Sequence, residues 1–119
     1  MNVVLDDVLW AKLKATEVDI NVHVKTTINI TPFVARQKVN VFLLDKVGTG
    51  LLADAPDLVM AGQRLLWRIP VILSLPGHGR LGQVGVVDVD VQTGEVLGDQ
   101  TLINGLTNHA NQLAASSPL

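Results

Sequence analysis

Arg68, Asp88 and Asp90 are the residues whose types and spacing come nearest to chemistry. Two carboxylates at i and i+2 of a strand share a face and sit about 6.6 Å apart. That spacing suits acid–base work or a bound metal. A hairpin centred near residue 78 or 79 puts Arg68 opposite Asp88 or Asp90 on the non-core face, and the plainer role for such residues is register-fixing charge on a sheet surface. Nothing nearby in sequence supplies the additional His or carboxylate that a metal site needs. A second candidate is His78, held between Gly77 and Gly79 and followed by Arg80. Backbone N–H groups and a cation in such a loop can meet an anion. A phosphate loop proper leads into a helix, and here a strand follows. A hairpin turn whose glycines supply positive φ is the simpler reading.

The other reactive side chains are dispersed. His23 falls on the polar face of a strand, and His109 falls on the apolar stripe of a helix, where a packed or interface-buried histidine is expected. The three histidines lie on three elements without ligand spacing. Ser74, Ser116 and Ser117 are the serines, and none sits in a Gly-x-Ser-x-Gly context. With neither cysteine nor tyrosine, disulfides, thiolate chemistry and phenol chemistry are excluded. No cofactor is implied, and no motif demands a reaction.

The elements that must position these residues are legible from periodicity. Thr16 to Ile30 alternates polar and apolar without a break, the pattern of a strand with one buried face. It would span roughly 50 Å if straight, more than an ordinary strand, so it is expected to bend, bulge or reach a neighbouring subunit. Thr31 is an N-cap and Pro32 suits the first helical position, predicting a helix from Pro32 to about Val47. Ala35, Val39, Phe42, Leu43 and Lys46/Val47 form its core stripe. Val34, Val41 and Leu44 lie off that stripe, on a flank that either widens the buried face or makes a subunit contact. Gly48 to Pro56 reads as a loop and Asp57–Ala61 as a short strand turned by Gly62-Gln63.

Arg64 to Leu75 is a long strand with Leu65, Trp67, Ile69, Val71, Leu73 and Leu75 on one face. Its Pro70 cannot donate to a ladder and predicts an edge or a bulge. Gln83–Val91 is a further strand, and Gln92-Thr93-Gly94 turns it into Glu95–Leu97. Asp99 or Thr101 caps a C-terminal helix with Leu102, Leu106, His109 and Leu113 as its stripe. The opening, Val3 to Leu13, fits a short helix, although Val3-Val4-Leu5 would also extend a sheet. The expected fold is one α+β domain over residues 1–119: a curved antiparallel β-sheet of about four strands packed on one main helix, with a C-terminal helix.

Composition narrows the function classes. The 119 residues are 48% hydrophobic but 3% aromatic, so aliphatic packing carries the core. The charged fraction of 17% is below the usual ~25%, and the mean hydropathy is +0.37. Such a surface favours self-association, because a dimer face removes apolar area from water. Nine basic residues are scattered among eleven acidic ones, which disfavours a nucleic-acid partner. The acidic start lacks the basic region of a signal peptide, and the uncharged run Gln100–Leu119 is too polar for a bilayer. A cytoplasmic protein with no membrane contact is expected.

The run from Val84 to Leu97, Val-Gly-Val-Val-Asp-Val-Asp-Val-Gln-Thr-Gly-Glu-Val-Leu, resembles the closing hairpin of PepSY-type domains. Those also end in a valine-rich strand, an Asp, a Thr-Gly turn and a Glu-Val return. Trp67-Arg68-Ile69-Pro70-Val71 upstream adds to the likeness. The layout is similar to that of small bacterial proteins, some encoded beside PIN-type nucleases. The resemblance implies a binding or inhibitory module with a protein partner and no catalytic residues.

Three functions fit. The first is a non-enzymatic protein-interaction or regulatory module, homodimeric, binding another protein or peptide. The second is a small-molecule-binding protein or small enzyme, with a pocket between helix and sheet near Trp67 and the Gly77–Gly79 loop. Two or more convergent polar side chains in a deep pocket would mark it. The third is an antitoxin-like regulator, which a coherent basic surface would mark. Arg68, His78, Arg80, Asp88 and Asp90 are the candidate binding residues, and Val34, Val41 and Leu44 the candidate interface.

Overall fold

A computed structural model describes the backbone of residues 3–5 and all of residues 25–116. The elements run β1 (Val3–Leu5), α1 (Pro32–Lys46), β2 (Leu51–Ala53), β3 (Asp57–Ala61), β4 (Arg64–Leu75), β5 (Gly79–Asp90), β6 (Val96–Leu97) and α2 (Gln100–Ala115). This is an α+β fold. The sheet order is β1-β3-β4-β5-β6, with β2 also paired to β4. All pairings are antiparallel except β1 with β3, which is parallel.

β4 is the spine of the sheet. Along one edge it pairs with β5 over nearly its whole length. Along the other, β3 covers Arg64–Arg68 and β2 covers Val71–Leu73. Pro70 sits where β3 gives way to β2. Its carbonyl accepts from the Asp54 N–H at 2.8 Å on that side, so the nitrogen that cannot donate faces the gap between two short strands. This is how a 12-residue strand in the middle of a sheet tolerates a proline.

One face of the sheet carries Trp67, Ile69, Val71 and Leu73 of β4 with Val87 and Val89 of β5, all buried. Ala35, Val39 and Leu43 of α1, at i, i+4 and i+8, pack onto it and are fully buried. Thr31 caps α1, its Oγ1 accepting from the Val34 N–H at 3.1 Å. Asp99 caps α2 in the same way, accepting from the Leu102 N–H at 2.8 Å. Leu106 of α2 reaches the core over Gly85, where a Cβ would come within 2.7 Å of the Leu106 side chain, so only glycine admits the helix this closely. By the alternation of β4 and β3, Leu66, Ile72 and Val59 lie on the other face, and they too are buried.

Several expectations are corrected. Lys25 to Asn29 is not a strand, although it alternates. The Asn29 and Ile30 N–H groups both donate to the Val91 carbonyl, and the Trp67 indole N–H donates to the Ile30 carbonyl at 2.7 Å. These bonds fasten a strap leading into α1, not a ladder. Thr16 to Val24, with His23, lies outside the described residues. Val3–Leu5 is a strand rather than the start of a helix, and the rest of that segment also lies outside them. The loop expected over Gly48–Pro56 contains β2, which raises the strand count to six. Phe42 is half-buried, resting against Gly98 rather than inside the core.

Candidate functional site

The β4–β5 hairpin places Arg68 directly opposite Asp88. The pair is bidentate: Nε donates to Oδ1 and a terminal nitrogen to Oδ2, both at 3.0 Å. Two parallel charge-assisted bonds fix the register and occupy both carboxylate oxygens. Asp90, two residues on, is directed elsewhere. Its Oδ2 accepts from Arg64 Nε at 2.7 Å, and its Oδ1 accepts the N–H groups of Gln92 and Thr93 at 2.8 and 2.9 Å. These bonds, the Thr93 N–H foremost and then Arg64, hold its carboxyl down at about 2. Its backbone closes the same turn, with the Asp90 carbonyl accepting from Gly94 N–H and its N–H donating to the Glu95 carbonyl. Thr93 Oγ1 accepts from the Glu95 N–H at 3.1 Å. The Asp-x-x-Thr-Gly-Glu run is therefore a self-contained turn in which each polar residue has a backbone partner. The two carboxylates share a face but are drawn to two different arginines.

His78 is exposed at the tip of the opposite turn, where its N–H donates to the Leu75 carbonyl at 3.1 Å. Pro76 and Gly77 are the central pair, and Gly77 has φ +79°, which accounts for that glycine in a type II turn. Arg80 points away from His78 in its bonding and pairs with Asp54 at 2.7 Å, holding the Asp54 carboxyl below its usual range. The structure thus does not gather Arg68, His78, Arg80, Asp88 and Asp90 into one site. His78 and Arg80 lie at one end of the hairpin, Asp88 and Asp90 at the other.

The pocket expected near both Trp67 and the Gly77–Gly79 loop does not form as one space, because ten residues of strand, about 33 Å, separate them. A cleft beside Trp67 is lined by Ile28, Thr31, Pro32, Pro56, Asp57 and Leu58, and its Thr31 hydroxyl serves as the α1 cap. A second, open cleft lies between α2 and β5. Val84 there is the extra residue of a bulge, since Val71 pairs with Gly85 and Ile72 with Gln83. His109 Nδ1 lies 3.0 Å from the Val84 carbonyl. A carbonyl only accepts, so Nδ1 carries the proton and donates. His109 is exposed and tied to a backbone carbonyl, not packed as its stripe position suggested.

Among the described residues, the largest group of exposed apolar side chains is on α1. A helix turns about 100° per residue, so Phe33, Gln37, Val41 and Leu44 point away from the Ala35–Val39–Leu43 core face, with Val34 beside them. Phe33, Val41 and Leu44 are 68%, 67% and 65% exposed, and Val34 is 36% exposed. The three residues on the expected flank are therefore not a widened core. An open groove of about 520 Å³ runs alongside, lined by Val34, Gln37, Lys38, Val41, Phe42 and Val96. Phe33 was not singled out from the sequence, although its spacing of i, i+4, i+8 to Gln37 and Val41 places it on this face.

The polar flank of the same helix has a different task, also unforeseen. Asn40 Oδ1 accepts from the Ala53 N–H at 2.8 Å, and Arg36 Nε donates to the Ala53 carbonyl at 2.8 Å. Two side chains one turn apart thus imitate a neighbouring strand along the outer edge of β2.

Among the described residues, no three His, Asp or Glu side chains converge to hold a metal ion, and no helix is long and apolar enough to cross a membrane. No family model, no curated protein and no solved structure matches this chain.

Proposed function

We propose that this chain is a non-enzymatic protein-interaction module that forms a homodimer through the outer face of α1. The observation that carries the reading is the apolar character of that face. A helix with apolar side chains on both its core side and its opposite side belongs in an environment where both are covered. A patch of large apolar side chains around an uncharged centre is the composition of an interface. The low charged fraction agrees with it, as does the resemblance of the Val84–Leu97 hairpin to domains that act by binding. An antitoxin-like contact with nucleic acid has less support, because Arg64, Arg68 and Arg80 each face a carboxylate and Arg36 is spent on a backbone carbonyl.

Light scattering at micromolar concentration tests this. The expected mass is twice the 12.8 kDa of one chain, and Val41→Glu returns it to that of one chain with the circular-dichroism melt of the fold retained. A wild-type mass of a single chain across the range removes the proposal.

A further inference from the structure

We propose that Arg36 and Arg80 bind one phosphate group in the small hollow between α1, β2 and the start of β5. The two arginines come from different elements and are tied to consecutive residues. Arg36 Nε donates to the Ala53 carbonyl at 2.8 Å, and a terminal nitrogen of Arg80 donates to Asp54 Oδ2 at 2.7 Å. Those bonds hold both guanidinium groups in place and take one nitrogen of each. In the described structure the remaining N–H donors of both have no protein partner.

The hollow they line measures about 60 Å³ and is completed by Leu52, Ala53, Asp54 and Ile72. Its size selects a head group. A water takes up about 30 Å³ of liquid and a small-molecule site about 300–1,000 Å³, so the hollow admits one small ion and leaves anything attached to it outside. Its charge selects an anion, because two cations stand against a single carboxylate. Both cations act on one spot: hydrogen bonds from Arg80 and the Ala55 N–H lower the Asp54 carboxyl, and the charges of Arg80 and Arg36 add to the effect. Geometry selects phosphate over carboxylate. A planar carboxylate matches one guanidinium fork, whereas a tetrahedral phosphate has oxygens for two. Leu52 and Ile72 give the hollow an apolar side, where a charged hydrogen bond is screened less than in open water. One pair of arginines makes a site for one phosphate, not the run of contacts that a nucleic-acid backbone takes. Asp54 is the group the ligand displaces. Its Oδ2 sits on Arg80 where a phosphate oxygen would go, while its Oδ1 stays on the Ala55 N–H.

Titration with inorganic phosphate and, separately, with phosphoserine tests this, followed by nuclear magnetic resonance of the arginine Nε–H groups. Both ligands are expected to shift the Arg36 and Arg80 signals to saturation, with acetate binding more weakly. Arg80→Gln is expected to weaken binding by about tenfold or more. Asp54→Asn keeps an Oδ1 for the Ala55 N–H and removes the competing charge. It is expected to strengthen binding by about threefold, a gain that a purely structural Asp54 would not give. Lys38→Gln, a cation lining the groove between α1 and β6 instead, is expected to leave binding unchanged. A circular-dichroism melt checks the fold of each variant. Saturation by inorganic phosphate alone keeps the site and assigns it to the free ion. Shifts that do not saturate with either ligand, acetate binding as well as phosphate, wild-type binding by Arg80→Gln, or no gain in Asp54→Asn overturns the proposal.

Discussion

The β5–β6 turn and the outer face of α1 lie on the same molecule's surface and are finished in opposite ways. At the turn, Asp90, Thr93 and the Glu95 backbone take one another's hydrogen bonds, and Arg64 and Arg68 each receive a carboxylate. On α1, Phe33, Val41 and Leu44 stand about two-thirds exposed around an uncharged centre. The contrast teaches where to look for function here. The charged cluster that resembles an active site is used up holding a hairpin together. The region with interactions left to make contains no charge at its centre. The sheet edge agrees: Arg36 and Asn40 satisfy Ala53, one of the ways a protein keeps a strand from recruiting another chain. The outer edge of β2 is closed at Ala53 by side chains of α1.

The sharpest test of this contrast sets two adjacent leucines against each other. Leu43→Ala empties a fully buried site and is expected to destabilise folding by about 2–5 kcal/mol. Leu44→Ala, one residue on, is expected to change it by less than about 0.5 kcal/mol. Urea unfolding at a concentration too dilute for dimers measures both. Equal losses would mean that the outer face is covered within a single chain, and the contrast would fail.

A smaller effect is expected at the turn. Asp90→Ala leaves the Thr93 and Gln92 N–H groups and Arg64 without their acceptor, at a cost of about 1–3 kcal/mol. The pH dependence has a definite sign. The folded protein holds the Asp90 carboxyl at about 2, below the ordinary 3.8, so the unfolded chain binds the proton more readily. The contribution is complete above pH 3.8 and is lost as the pH falls toward 2. Acid titration of stability in Asp90→Asn should be flatter than wild type across that window.

The smallest effect is the coupling between Arg68 and Asp88. A double-mutant cycle is expected to return about 1 kcal/mol or less for this cross-strand pair, with dimer mass unchanged in both single variants. Loss of the dimer on replacing Arg68 would join the two regions into one interface and dissolve the distinction between them.

Much of this arrangement was legible in the residues. The alternation of β4 and the Thr31-Pro32 helix start follow from local pattern, and counting narrows the partner of Arg68 to Asp88 or Asp90; two register shifts in the hairpin, which the sequence does not show, select Asp88. What escaped was decided by longer-range contacts. β1 and β2 are three residues each, too short to show a period. Lys25 to Ile30 alternates like a strand, yet its carbonyl and N–H groups found Trp67 and Val91 first. Arg36 and Asn40 look like solvent-facing residues until β2 is placed beside them. The core stripe of Ala35, Val39 and Leu43 was legible, but spacing alone leaves open whether Val34, Val41 and Leu44 widen it. Their exposure in the folded chain decides that they do not.

Pro70 also shapes how the sheet comes apart. On one side β4 has a single long companion, and on the other it has two short ones meeting at a residue that lends no hydrogen to either. β2 and β3 are therefore separate leaves on one spine. Breathing at one need not loosen the other, because no bond of the ladder is shared across the junction. The long seam between β4 and β5, shifted in register at two points, is the pairing that both leaves have in common. The strap at Ile30 is fastened to that seam, through Trp67 and Val91. The entrance to α1, and with it the apolar face that α1 displays, is tied to Trp67 of β4 and to Val91 just beyond β5 rather than to the short outer strands.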